Sequence, residues 1–183
     1  MPDNSSIDSR SSEPVSGPQN KGILAAEVDI QARLGDRSVD FESLHAVSNI
    51  YRAASSIRRT AERGILAEAN LSWGGFTILW VLWIWNDMDT ARLAAECDLA
   101  KGTLTGMLST LEKQDLVSRS RLDSDRRKVI VRLTPAGKRR IESIVPTFNL
   151  FEAEMTEGLT SDEKQTLSSL LRRVITNASG TTG

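Results

Sequence analysis

Arg126, Arg127 and Lys128 are three consecutive cations that follow the acidic turn Asp123-Ser124-Asp125 and lead into the alternating run Val129-Ile-Val-Arg-Leu133. Long cationic side chains at a hairpin tip neutralise phosphates and reach into a narrow, electronegative minor groove. Asp125 is placed to brace an arginine by a carboxylate–guanidinium pair, and Arg119, on the strand that leads up to the tip, is a further candidate DNA contact. Just upstream, Leu104, Met107, Leu108 and Leu111 recur at helical spacing. The opposite side of that helix offers Lys101, Gly102, Thr103, Thr105, Gly106, Ser109 and Thr110. Hydroxyls bond phosphates or base edges, and threonine methyls touch the thymine methyl. Each glycine costs a helix up to about 1 kcal/mol, so the pair implies close packing or close approach to a groove. Taken alone, the helix reads equally as an ordinary amphipathic one and the cations as a solvated turn. Side by side they read as a helix-turn-helix with a basic wing, whose partner is double-stranded DNA.

The charge distribution agrees. The chain has 183 residues and a net charge of −1, yet the window from Lys113 to Arg140 holds ten cations and three anions. That window carries +7 and the remainder −8, a local phosphate-binding patch on an acidic body. With 39% hydrophobic and 26% charged residues, the composition is that of a soluble protein with one sizeable core. No run approaches the roughly 18 apolar residues that span a bilayer. The N-terminus lacks a signal-peptide pattern, and the single cysteine, Cys97, excludes an internal disulfide. A cytoplasmic location with no membrane partner is the expectation.

The elements that must position these residues are mostly helical. Residues 1–20 are polar and expected to be disordered, as is the tail of residues 177–183. Residues 21–70 hold a short helix over Ile23–Leu34, ended by Gly35, and a long one capped by Asp40 and sustained to about Ala69. Residues 71–134 form the DNA-binding region. In it, a helix capped by Ser72 carries an almost continuous apolar surface, Asn86–Asp89 breaks the chain, Thr90 caps a short helix, and residues 101–113 form the recognition helix. Val117–Leu122 and Lys128–Leu133 are the two expected strands. Residues 135–176 hold two more helices. One starts at Thr134-Pro135 and carries Pro146, which is expected to kink it. The other is capped by Thr160 and Glu163 and runs to Val174 or Ile175.

These residues resemble the MarR family of winged helix-turn-helix transcription regulators. The resemblance rests on Thr90-Ala-Arg-Leu-Ala, Gly102-Thr-Leu-Thr-Gly, Leu111-Glu-Lys-Gln-Asp-Leu-Val-Ser-Arg119 and Asp125-Arg-Arg-Lys-Val-Ile-Val-Arg-Leu-Thr-Pro-Ala-Gly137, and covers about residues 40–176. It implies a mainly α fold with a small β-wing, dimeric, with intertwined N- and C-terminal helices, reading a pseudo-palindromic operator as a homodimer. It also implies a repressor released by a small-molecule effector, often an aromatic or phenolic acid. This chain departs from the family in having Ala100 where Ser or Thr often opens the recognition helix, and Asp115 where Gly often precedes the wing.

An effector needs a pocket. Trp73, Phe76, Trp80 and Trp83 follow i, i+3, i+7, i+10 spacing, one helix face that lines either a ligand cleft or a tryptophan-rich core. His45, Asn49 and Arg52 are the candidate polar companions, Arg52 for a carboxylate or for a dimer ion pair. Cys97 invites a redox-switch reading, but Glu96 and Asp98 beside it disfavour a thiolate. With His45 the only histidine, no histidine–cysteine metal cluster can form. No phosphate loop or nucleophile elbow occurs, so neither a cofactor nor an enzymatic activity is expected. A winged-helix protein-interaction module without DNA binding is the alternative, against which the intact wing cations count.

Overall fold

The computed structural model describes residues 24–35, 37–122 and 125–180. The expected N-terminal disordered segment and the turn residues Asp123 and Ser124 lie outside the described residues, as do the side chains of residues 122–127. The chain divides into two units, one ending at Tyr51 and the other beginning at Arg52.

The first unit contains α1 (Ala25–Leu34) and the start of α2 (Phe41–Arg63). Gly35 ends α1 at a φ of 36°, where only glycine is unstrained. The Asp40 carboxylate accepts from the Ser43 N–H at 3.0 Å, the expected N-cap. Glu27, 6% exposed, accepts from the Leu24 N–H and, at 2.7 Å, from the Asn49 amide.

The second unit holds the core. The long helix does not continue to Ala69 as expected. It breaks at Gly64 (φ −108°, ψ −108°) into α2 and a single turn, α3 (Ile65–Glu68), because glycine adopts at little steric cost an angle pair that few residues tolerate. Then follow α4 (Trp73–Trp85), β1 (Met88–Asp89), α5 (Thr90–Glu96), α6 (Lys101–Lys113), β2 (Val117–Leu122), β3 (Asp125–Leu133), α7 (Pro135–Met155) and α8 (Ser161–Gly180). The sheet has antiparallel order β1-β3-β2.

Three expectations are corrected here. β1 was not foreseen, since two residues carry no periodic signal, and β3 starts at Asp125 rather than Lys128. The cap of α5 is Asp89, whose carboxylate accepts from the Ala91 and Arg92 N–H groups; Thr90 is already helical. The backbone N–H of Arg92 is the main reason the Asp89 carboxyl is held below its ordinary value.

Leu66, Ile78, Leu79, Leu93, Leu104, Leu108, Val131 and Ile141 are the largest fully buried side chains. α4 supplies seven buried residues and packs against α5, α6, α7 and β3, which explains its lack of a polar face. The α4–α6 approach is close: a Cβ on Gly74 would stand 2.6 Å from the Met107 Sδ and Cε atoms.

α3, α5 and α6 end alike. Asn70, Asp98 and Asp115 adopt φ of 53°, 50° and 55°. Each donates its N–H three residues back, and the leucine after each donates five back, Leu71 to Leu66, Leu99 to Ala94 and Leu116 to Leu111. These are Schellman caps built with residues other than glycine. α7 starts at Thr134, whose hydroxyl accepts from the Gly137 N–H at 2.9 Å, and continues through Pro146. The reciprocal Thr160–Glu163 box opens α8. α8 reaches Gly180, so residues 177–180 are helical rather than part of a disordered tail.

α8 has no buried residue, and Leu167, Leu170, Val174 and Ile175 stand exposed on it. Leu150, Met155 and Leu159 are exposed as well. An isolated chain would leave these apolar side chains in water.

Candidate nucleic-acid interface and effector cleft

The helix-turn-helix is α5, the Cys97–Ala100 turn and α6. Ala100 caps α6 with its backbone alone and offers no side-chain cap bond, as its departure from the family pattern implies. Leu104, Leu108 and Leu111 anchor α6 in the core, while Lys101, Gly102, Thr103, Thr105, Gly106 and Thr110 are exposed and Ser109 is half-buried.

The hydroxyls on this face are already oriented. Thr105 donates to the Lys101 carbonyl at 2.9 Å, Ser109 to the Thr105 carbonyl at 3.0 Å and Thr110 to the Gly106 carbonyl at 3.3 Å. Each oxygen keeps its acceptor lone pairs, the complement of the cytosine and adenine amino groups in a major groove, although that of Ser109 also accepts from Arg119. A Cβ on Gly102 or Gly106 would meet nothing within 4 Å. Packing among the described residues therefore does not require either glycine.

The wing stem is tied to this helix. The Arg119 guanidinium of β2 is ion-paired with Glu112 of α6 and reaches the Ser109 hydroxyl at 3.4 Å. That bond holds the Glu112 carboxyl below its ordinary range. Arg119 is thus engaged in fixing the wing to α6. Lys101, Thr105, Arg119 and Val129 line one concavity of about 430 Å³ together with Thr90 and Ala91, so the polar face of α6 and the base of the wing share a surface. At the far edge, Arg132 pairs with Asp87 at 2.5 Å and donates to the Ser120 hydroxyl. Lys128 is exposed and its charge is felt at Asp89. The side chains of Asp125, Arg126 and Arg127 lie outside the described residues, although their backbone forms the start of β3.

Trp73, Phe76 and Trp80 come together in a cleft of about 380 Å³. Its other wall is α7, which contributes Val145, Phe148, Asn149 and Glu152. Phe76 stacks on Phe148 with centroids 4.3 Å apart, and Trp83 contacts Trp80 without lining the cleft. Arg52 is half-buried and is not among the lining residues. His45 and Asn49 belong to the first unit; the His45 Nε2 is unpartnered among the described residues. The α7 wall was missed by sequence reasoning. Its signal was the spacing 145, 148, 149, 152, which repeats that of 73, 76, 77, 80 on α4.

Cys97 is buried, and desolvation aided by the Glu96 charge pushes its thiol up to about 11. At neutral pH it lacks the thiolate that a redox switch needs. Among the described residues no group of three or more His, Cys, Asp or Glu is placed to hold a metal, and no single helix is long and apolar enough to cross a membrane.

Known proteins share this architecture. The MarR family model matches residues 71–129. An uncharacterised HTH-type transcriptional regulator of Bacillus subtilis (strain 168), YwaE, is 35% identical over 162 residues, covering 87% of this chain and 95% of that one. A mutant MarR from E. coli, solved in complex with operator DNA, superposes with a TM-score of 0.67 at 25% identity, covering 75% of this chain and 99% of that one. NadR in complex with 4-hydroxyphenylacetate superposes with a TM-score of 0.59 at 28% identity, covering 69% and 89%. The polar helix, the wing braced against it and these matches together place the chain in the MarR family of winged helix-turn-helix, DNA-binding transcription regulators, a family in which homodimers bind operator DNA.

Proposed function

We propose that this protein is a cytoplasmic repressor that binds a pseudo-palindromic operator as a homodimer and is released by a small aromatic effector. The observation that carries the effector half is the position of the aromatic cleft. Its wall α4 is also the helix on which α5, α6 and β3 pack. A ligand that binds one spacing of α4 and α7 better than another shifts the population of the DNA-reading lobe with it. NadR, a relative of the same fold, holds an aromatic ligand, 4-hydroxyphenylacetate.

The dimer half rests on the bare apolar face of α8 and the end of α7, which a second copy would cover isologously. Two recognition helices then fall about 34–36 Å apart, one turn of duplex. Lys101, Gly102, Thr103, Thr105 and Ser109 are assigned to the major groove, and Asp125, Arg126, Arg127 and Lys128 to the backbone and minor groove. Arg119 positions the wing.

Fluorescence anisotropy on the DNA upstream of the protein's own coding region tests this reading. Salt-sensitive, sequence-preferring binding at nanomolar to low-micromolar protein, reversed by members of a panel of aromatic acids, phenols, amines and their neutral analogues, is the expected result. Binding that ignores sequence would overturn the operator claim, and binding that no member of the panel reverses would overturn the effector claim.

A further inference from the structure

The cleft between α4 and α7 combines aromatic rings with a carboxylate. Trp73, Phe76 and Thr77, with Trp80, occupy i, i+3, i+4 and i+7 on α4, and Val145, Phe148, Asn149 and Glu152 occupy the same spacing on α7. The rings form a continuous assembly. Phe76 and Phe148 are stacked, Trp73 lies 6.1 Å from Phe148 and Trp80 lies 6.3 Å from Phe76. Both tryptophans remain half-buried, so their faces are not consumed by the core. Among the described residues one ionisable group lines the cleft, the Glu152 carboxylate, held by the Asn149 amide at 3.2 Å. No lysine, arginine or histidine is among the described residues that line it.

Aromatic faces carry negative potential and attract cations, and tryptophan does so most strongly. A carboxylate at the mouth of such a box attracts the same sign and repels an anion. We propose that the effector cleft selects an organic cation, an aromatic or alkyl ammonium compound, over the aromatic carboxylates. The inference rests on the effector reading above and names the ligand class for that same site. The cation lies against Trp73 and Trp80 with its charge toward Glu152, and the Asn149 amide orients the carboxylate.

Phenyltrimethylammonium, its neutral isostere tert-butylbenzene and the anion benzoate are the probes, with binding to the full chain followed by tryptophan fluorescence and by calorimetry. Phenyltrimethylammonium should bind at least about tenfold more tightly than tert-butylbenzene, and benzoate most weakly. Glu152→Gln should cut the ratio of cation to isostere affinity about tenfold, and Trp80→Leu should lower it too, because each removes attraction specific to charge. Equal or tighter binding of benzoate, a ratio unmoved by Glu152→Gln, or no binding of the cation at all would overturn the proposal. The same probes added to the protein–operator complex separate the two claims. Release by benzoate without release by the cation keeps the effector reading and refutes this ligand class.

Discussion

Arg119 on β2 is ion-paired with Glu112 on α6, and this contact helps join the wing to the helix assigned to the major groove. Both side chains are less than a third exposed. Because both ends are fixed by secondary structure, little entropy opposes the pair. A double-mutant cycle with Arg119→Ala and Glu112→Ala should return a coupling energy of about 0.5–1 kcal/mol. Either single change should weaken operator binding by letting the wing move. The Glu112 carboxyl is held low by the Arg119 hydrogen bond, so the pair's contribution to stability is complete above the ordinary glutamate value of about 4.3 and is lost as pH falls below it through the lower folded value. Melting curves between pH 6 and pH 3 should show that loss in the native protein and less of it in Glu112→Gln.

Gly137 is the second joint of the wing. A Cβ there would lie 1.9 Å from the Leu116 carbonyl oxygen, and that oxygen already accepts from the Thr134 N–H. The clash is with backbone, which cannot rotate aside. Gly137→Ala should cost roughly 2–3 kcal/mol, read as a fall in denaturation midpoint. A midpoint unchanged from the native protein would show that α7 starts elsewhere.

The three non-glycine Schellman caps predict the opposite sign. Asn70, Asp98 and Asp115 hold left-handed backbone that costs residues other than glycine about 1 kcal/mol. Asp98→Gly and Asp115→Gly should each stabilise the fold by about 0.5–1 kcal/mol, reduced by the greater freedom glycine brings to the unfolded chain. Thermal melts of each variant decide the sign.

Much of this was legible in the sequence because local chemistry dictated it. Asp40, Ser72, Thr134 and the Thr160–Glu163 box cap the helices they were expected to cap, since an oxygen three residues ahead of an orphan N–H has one favourable use. The recognition helix and β2 fall where leucine spacing and alternation put them. The remainder depended on tertiary pairing. β1 exists because Met88 and Asp89 meet Val131 and Ile130, and nothing in two residues announces that. The partners of Glu112 and of Asn149–Glu152, namely Arg119 and the α4 aromatics, lie far from them in sequence or on another element, and only the fold sets them side by side.

Gly102 and Gly106 separate stability from function. With open space where each Cβ would stand, Gly102→Ala and Gly106→Ala should each stabilise α6 by up to about 1 kcal/mol. Both should weaken operator binding, because the added methyl enters the space a groove must fill. Higher melting temperature with unchanged operator affinity would show that these glycines face solvent rather than DNA.

The central claim is that the wing cations and the polar face of α6 bind one duplex together. The most direct test is the salt dependence of operator binding for the native protein, for Arg127→Ala and for the triple alanine replacement of Arg126, Arg127 and Lys128. The slope of log K against log salt should fall in magnitude by about 0.9 for every phosphate contact removed, with dimer mass and melting temperature nearly unchanged. A slope and affinity that survive the triple replacement, in a folded dimer, would contradict the account.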